Sequence, residues 1–72
     1  MANPISIDTE MITLGQFLKL ADVIQSGGMA KWFLSEHEVL VNDELGQPLR
    51  GRKLYVGDVV EIEGFGSFQV VN

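Results

Sequence analysis

The chain has 72 residues, 46% of them hydrophobic, no cysteine and a formal net charge of −5. That length suits one domain with a small core, burying roughly 60% of the unfolded surface. The composition excludes a disordered chain, a disulfide framework and a thiolate zinc site. The acidic start MANPISIDTE is not a signal peptide and no apolar run reaches membrane-span length, so a cytoplasmic protein with no membrane partner is expected.

Pro4-Ile5-Ser6-Ile7-Asp8-Thr9 alternates apolar and polar residues and predicts a short strand; Pro4, lacking an N–H, suits a strand start or a sheet edge. Thr13 with Gln16 matches a capping box, and Leu14, Phe17, Leu18 and Ala21 then recur on one helical face, predicting a helix that ends near Val23. Lys19 and Asp22 fall off that face. Ser26-Gly27-Gly28 opens a second helix, with Ser26 as its expected N-cap. Ala30, Phe33 and Leu34 form its inner stripe and Met29 its edge. The helix is expected to end around Glu36-His37-Glu38, with His37 left-handed, a conformation histidine tolerates better than most non-glycines.

Val39-Leu40-Val41 reads as a strand, Asn42 to Pro48 as a turn-rich stretch, and Arg50-Gly51-Arg52-Lys53 as a basic loop. Leu54-Tyr55-Val56 leads to the tight-turn pair Gly57-Asp58. From Val60 the pattern alternates, with Ile62 inside and Glu61 and Glu63 outside. Gly64-Phe65-Gly66 turns the chain into a last strand, Ser67 to Val71. The order predicts an α+β fold: two short helices packed on one face of a small, mostly antiparallel β-sheet. Leu14, Phe17, Leu18, Ala30, Phe33, Leu34, Val39, Val41 and Ile62 are the expected core.

The charge is unevenly spread. All five cations, Lys19, Lys31, Arg50, Arg52 and Lys53, lie between residues 19 and 53, where five acids balance them. The two ends carry acids alone. Charges are screened over roughly 8 Å at physiological salt, so a local basic patch outweighs the net charge. A single patch around the start of the second helix is the expectation, and it suggests a polyanionic partner of modest affinity.

Two helices, a bend, Val39-Leu40-Val41-Asn42 and then Gly57-Asp58-Val59-Val60-Glu61-Ile62 resemble the αL RNA-binding domain named after ribosomal protein S-four. Leu14, Leu18, Ser26 and Ala30 match it as well, so the likeness runs from Thr13 to Glu63. Gln25 to Lys31 and Tyr55 to Asp58 look like the small standalone bacterial members. The first helix begins Thr13-Leu14-Gly15 where the family often has Arg-Leu-Asp, Gly27 follows Ser26 where it often has Arg, and His37 stands where it commonly has Gly.

The resemblance implies a non-catalytic RNA-binding module. Its partner would be structured RNA, rRNA or tRNA, with a ribosomal or other protein partner allowed, no cofactor, and a monomeric state. It points to Lys19, Gln25, Ser26, Gly27, Gly28, Lys31, Asn42, Arg50, Arg52 and Lys53 as RNA-binding residues. Read as residues alone, Ser26-Gly27-Gly28 is a glycine-permitted turn; read with the resemblance, its exposed amides and Lys31 make a phosphate site. Arg50, Arg52 and Lys53 are either a solvated loop or an RNA contact, with Gly51 allowing close approach. Asn42 suits phosphate or ribose and its own turn equally. Trp32 and Tyr55 can stack on bases, although their positions predict partial core burial for Trp32 and a half-buried strand residue for Tyr55.

His37 between Glu36 and Glu38 is not a metal site, since adjacent helical side chains diverge. No nucleophile or base–orienter pair supports an enzyme. The alternative function is a protein-interaction module using the acidic sheet face, Glu61 and Glu63, and the edge strand at Pro4.

Overall fold

Alternating inward residues build a four-stranded sheet in the computed structural model, which describes residues 2–44, 46 and 48–72. In chain order the elements are β1 (Asn3–Ser6), β2 (Met11–Thr13), α1 (Leu14–Leu20), α2 (Met29–Glu36), β3 (Val39–Val41), β4 (Lys53–Tyr55), β5 (Val59–Ile62) and β6 (Gly66–Val71). The larger sheet has the order β1-β6-β5-β3. Its β3–β5 and β5–β6 pairs are antiparallel, whereas the first and last strands, β1 and β6, run parallel. Pro4 therefore stands on an edge strand, where its missing N–H removes no central ladder bond.

Period-two burial sets the inner face. Val39, Val41, Val60, Ile62, Phe68 and Val70 are buried, while Glu61 faces solvent. The two helices cover this face with Leu14, Phe17, Leu18, Ala30, Phe33 and Leu34, all buried as their helical spacing requires. Phe17 meets Phe68 edge-to-face, with ring centroids 6.4 Å apart, and so ties α1 to the sheet. Ile7, Ile12, Ile24 and Leu54 complete the core.

Thr13 caps α1 as expected: its Oγ1 accepts from the Gln16 amide at 3.4 Å. The helix ends at Leu20, one turn before the predicted Val23. Asp22 takes φ +61°, Val23 donates to the Leu18 carbonyl at 3.0 Å, and Asp22 donates to Lys19 at 3.1 Å. This paired closure satisfies the last carbonyls and stops the helix.

Three other expectations are corrected. Ser26 is not the N-cap of α2; the cap is Gly28, in αR conformation and without a side-chain bond, after a turn in which Met29 and Ala30 donate to the carbonyls of Ser26 and Gly27. His37 is extended, at φ −128°, because α2 passes straight into β3. Its ring stacks on Phe33 with centroids 4.4 Å apart. Trp32 is 56% exposed and stands outside the core, whereas Tyr55, 52% exposed on β4, is the half-buried strand residue expected.

The second, two-stranded sheet was not foreseen. β2 pairs antiparallel with β4, setting Ile12 against Leu54 and Thr13 against Lys53. Lys53 is thus a strand residue and not part of the basic loop. Left-handed residues sit after β3, at Asn42 (φ +52°) and Asp43 (φ +60°), where Glu44 donates back to the Val41 carbonyl. Leu45 and Gln47, in the predicted Asn42–Pro48 turn, lie outside the described residues.

Candidate nucleic-acid interface

The basic loop is fixed by the start of α1. A helix start leaves its first amides without intrahelical partners. Here Leu14 donates to the Arg52 carbonyl at 2.8 Å and Gly15 to the Arg50 carbonyl at 2.9 Å, while the Gln16 amide uses Thr13. The loop thus completes the helix end, and the helix end sets the loop's position. Gly15 lies between the loop and α2, with room for a methyl group at ordinary contact distance. A Cβ there would lie 3.4 Å from the Ala30 Cβ and 3.5 Å from the Arg50 carbonyl oxygen. Sequence reasoning treated Gly15 only as a departure from a pattern; the bond that gives it meaning joins residues far apart in the chain.

With the loop in place, Arg50 and Arg52 come to α2. Lys31, Leu34 and Ser35 on the helix and Pro48, Leu49, Arg50, Gly51 and Arg52 on the loop line one open hollow of about 830 Å³. Its lining is mostly apolar and includes three cations, with Leu34 buried and Leu49 exposed. A smaller adjoining hollow is lined by Thr13, Gly15, Gln16, Gly27, Ala30, Arg50 and Gly51. Arg50 and Gly51 are shared by both. Lys31, Arg50, Arg52 and Gly27 are therefore neighbours on one surface.

The other predicted residues lie around or away from it. Lys53 is exposed on β4 opposite Thr13, next to the loop but lining neither hollow. Lys19 is in the last turn of α1, where a cation suits the carbonyl end of the helix, and lines neither hollow. Gln25, Ser26 and Gly28 are exposed in the turn before α2. In that turn the amides of Met29 and Ala30 are already engaged by Ser26 and Gly27.

Asn42 is tied into the protein. Its Oδ1 accepts from the Val59 amide at 2.8 Å and its Nδ2 donates to Asp58 Oδ1 at 3.2 Å. Asp58 Oδ2 accepts in turn from the Tyr55 amide at 2.8 Å. The Val-x-Val-Asn and Gly-Asp-Val segments are thus two halves of one clamp, which holds the β3 and β5 ends together.

One acid enters the basic surface. Glu44 Oε1 accepts from Arg52 Nη1 at 2.7 Å. The hydrogen bond to Arg52, and then its charge, hold the Glu44 carboxyl below its ordinary range; the same bond raises Arg52. No ion pair is described for Lys31 or Arg50 among the described residues. There too, no group of three or more His, Asp or Glu is placed to hold a metal ion, and no helix is long and apolar enough to cross a membrane.

A helix pair on a mixed four-stranded sheet, with a small two-stranded sheet beside it, is consistent with the α+β fold of the RNA-binding family that the sequence resembles. The family model described as the S4 domain matches residues 5–71, and the chain belongs to that family. It is 93% identical over 72 residues, all of both chains, to a Bacillus subtilis (strain 168) protein named "Probable ribosome maturation protein RlbA". No solved structure matches the chain significantly.

Proposed function

We propose that this protein is a non-catalytic RNA-binding module that acts in ribosome maturation by docking structured rRNA, with tRNA as the other RNA of suitable shape. The observation that carries the reading is the convergence of Lys31, Arg50 and Arg52 on one hollow beside Gly27, in a chain that is otherwise acidic. Lys31 and Arg50 contact phosphates. Arg52 joins them when it leaves Glu44. Gly27 and Gly51, without side chains, let the RNA backbone approach, and the apolar side chains of Leu34 and the exposed Leu49 accommodate a sugar or an unstacked base. Lys53 and Lys19 add longer-range attraction. The protein works in the cytoplasm as a monomer, with the segment from Thr13 to Glu63 as its RNA-binding core. The ribosomal setting is carried over from the name of the Bacillus relative, on the strength of its identity over the whole chain.

The test is fluorescence anisotropy with a structured RNA over a salt series. Lys31→Glu with Arg50→Glu should abolish binding while circular dichroism stays unchanged, since both side chains are exposed. Undiminished binding by that variant would overturn the reading.

A further inference from the structure

The outer face of the two-stranded sheet continues the basic surface. Thr13, at the end of β2, lines the smaller hollow together with Arg50 and Gly51. Directly across from Thr13 on β4 stands Lys53, and across from Met11 stands Tyr55. Ile12 and Leu54, between them, are buried. Side chains on a strand alternate between faces, so Met11, Thr13, Lys53 and Tyr55 share the face turned to solvent. Lys53 and Tyr55 are both exposed there. Two residues on one strand face lie about 7 Å apart. A cation and then a ring thus follow one another along the ribbon, starting from the edge of the hollow.

The charges along the ribbon decide what can lie on it. At the hollow end Lys53 directly follows Arg50 to Arg52 in the chain; at the other end the exposed Glu10 precedes Met11. Asp58, three residues after Tyr55, is engaged within the protein. Its Oδ1 accepts from the Asn42 side-chain amide at 3.2 Å and its Oδ2 from the Tyr55 backbone amide at 2.8 Å. A polyanion leaving the hollow therefore meets Lys53, then an uncharged ring, then a carboxylate. That sequence has room for one nucleotide, with its phosphate at Lys53 and its base at Tyr55. A base inside a duplex has both faces covered, so only an unpaired one can stack on a side chain. The other large exposed rings, Trp32 and Phe65, pack edge-on around His37, at 6.3 Å and 6.0 Å between centroids, and Glu36 and Glu38 flank that histidine in sequence.

We propose that Tyr55 and Lys53 take a single unpaired nucleotide of the RNA, its base stacked on Tyr55 and its phosphate held by Lys53. This rests on the RNA-binding reading and narrows it. The target is not a plain duplex but structured RNA with an unpaired nucleotide beside the docked segment. Stacking on a ring tolerates any base, so the site reads that a base is unpaired more than which base it is.

The experiment uses the full chain and two labelled RNA duplexes, one with a single bulged adenosine and one with an abasic nucleotide at the same bulge. The abasic duplex keeps the phosphate and lacks the base. By anisotropy the wild type should bind the adenosine duplex between about fivefold and about 150-fold more tightly, the range one base stacked on a ring spans. Tyr55→Leu keeps apolar bulk without a ring and should erase that difference, leaving abasic binding at the wild-type level. Tyr55→Phe and Trp32→Ala should each preserve it. Lys53→Gln should weaken both duplexes alike, since both carry the phosphate. Tyr55 is the chain's one tyrosine, so fluorotyrosine labelling gives a single fluorine resonance, which should move with the adenosine duplex and stay with the abasic one. That resonance also reports on the wild-type fold, so the proposal stays testable if Tyr55→Leu unfolds. A difference that survives Tyr55→Leu, one that vanishes in Trp32→Ala, or Lys53→Gln binding like wild type would overturn the proposal. Equal wild-type binding of the two duplexes, lost in Lys31→Glu with Arg50→Glu, would sink this proposal and leave the RNA-binding reading standing. Undiminished binding of both by that double variant would overturn the two together.

Discussion

Glu44→Gln should strengthen RNA binding, and the ion pair sets the size of the effect. In the wild type Arg52 Nη1 is 2.7 Å from Glu44 Oε1, so a phosphate must compete with a carboxylate already in place. The glutamine keeps the shape and removes the charge. Arg52 then becomes a third cation for phosphate beside Lys31 and Arg50. One additional phosphate contact steepens the dependence of log K on log salt by about 0.7 to 0.9. Between about 50 and about 200 mM salt, the variant's affinity should therefore fall about threefold more than the wild type's. Anisotropy titrations with one RNA hairpin at four or more salt concentrations measure both slopes. Glu61→Gln, on the opposite sheet face, removes the same charge without releasing a cation and should leave the slope unchanged. An unchanged slope in Glu44→Gln, or an equal steepening in Glu61→Gln, would show that Arg52 does not join the RNA contact when freed.

Acid should mimic that substitution. The Glu44 carboxyl is held below its ordinary range by Arg52, so the pair is fully formed above the unfolded carboxylate range and is lost as pH falls through the depressed folded value; the salt slopes of wild type and Glu44→Gln should converge there. Phe33→Ala should cost on the order of 3–5 kcal/mol in urea denaturation followed by circular dichroism, because a buried ring stacked on His37 is lost. Domains of this size hold only about 0.05–0.15 kcal/mol per residue, so that loss takes a large share of the total and should lower the urea midpoint steeply. Gly15→Ala should be nearly neutral, since its Cβ meets Ala30 at contact distance, but Gly15→Val should push the Arg50 carbonyl away and weaken RNA binding along with thermal stability.

Local periodicity made the core legible. Leu14, Phe17 and Leu18 on α1, and Val39 and Val41 on β3, repeat at the spacings of a helix face and a strand face, so they could be assigned without knowing their neighbours. One failure depended on partners distant in sequence, and the others on local choices between competing geometries. β2 has only three residues and abuts a helix; it exists because Ile12 meets Leu54, a pairing no window around Met11 reveals. Ser26 has the chemistry of an N-cap, but the backbone turn through Gly27 and Gly28 took over the helix start. His37 is extended because α2 passes straight into β3, and its ring stacks on Phe33. Trp32 is apolar but off the Ala30–Phe33–Leu34 stripe, and that position outweighed its hydrophobicity. Within the candidate site, the clustering of cations in the middle of the chain signalled the neighbourhood of Lys31, Arg50 and Arg52. It gave no sign that Glu44 would enter it, that Lys19 would stand apart, or that Asn42 would be held by Asp58 and Val59.

The central claim is that RNA docks on the surface shared by α2 and the loop after Pro48. Amide chemical-shift mapping of the full chain with a structured rRNA fragment tests it most directly. The account predicts shifts concentrated at Gly15, Gly27, Lys31 and Arg50 to Lys53, growing weaker as salt is raised, with Glu38, Glu61, Glu63 and Phe65 unmoved. Shifts centred on Glu61 and Phe65, or no salt-sensitive shifts at Lys31 and Arg50, would contradict it.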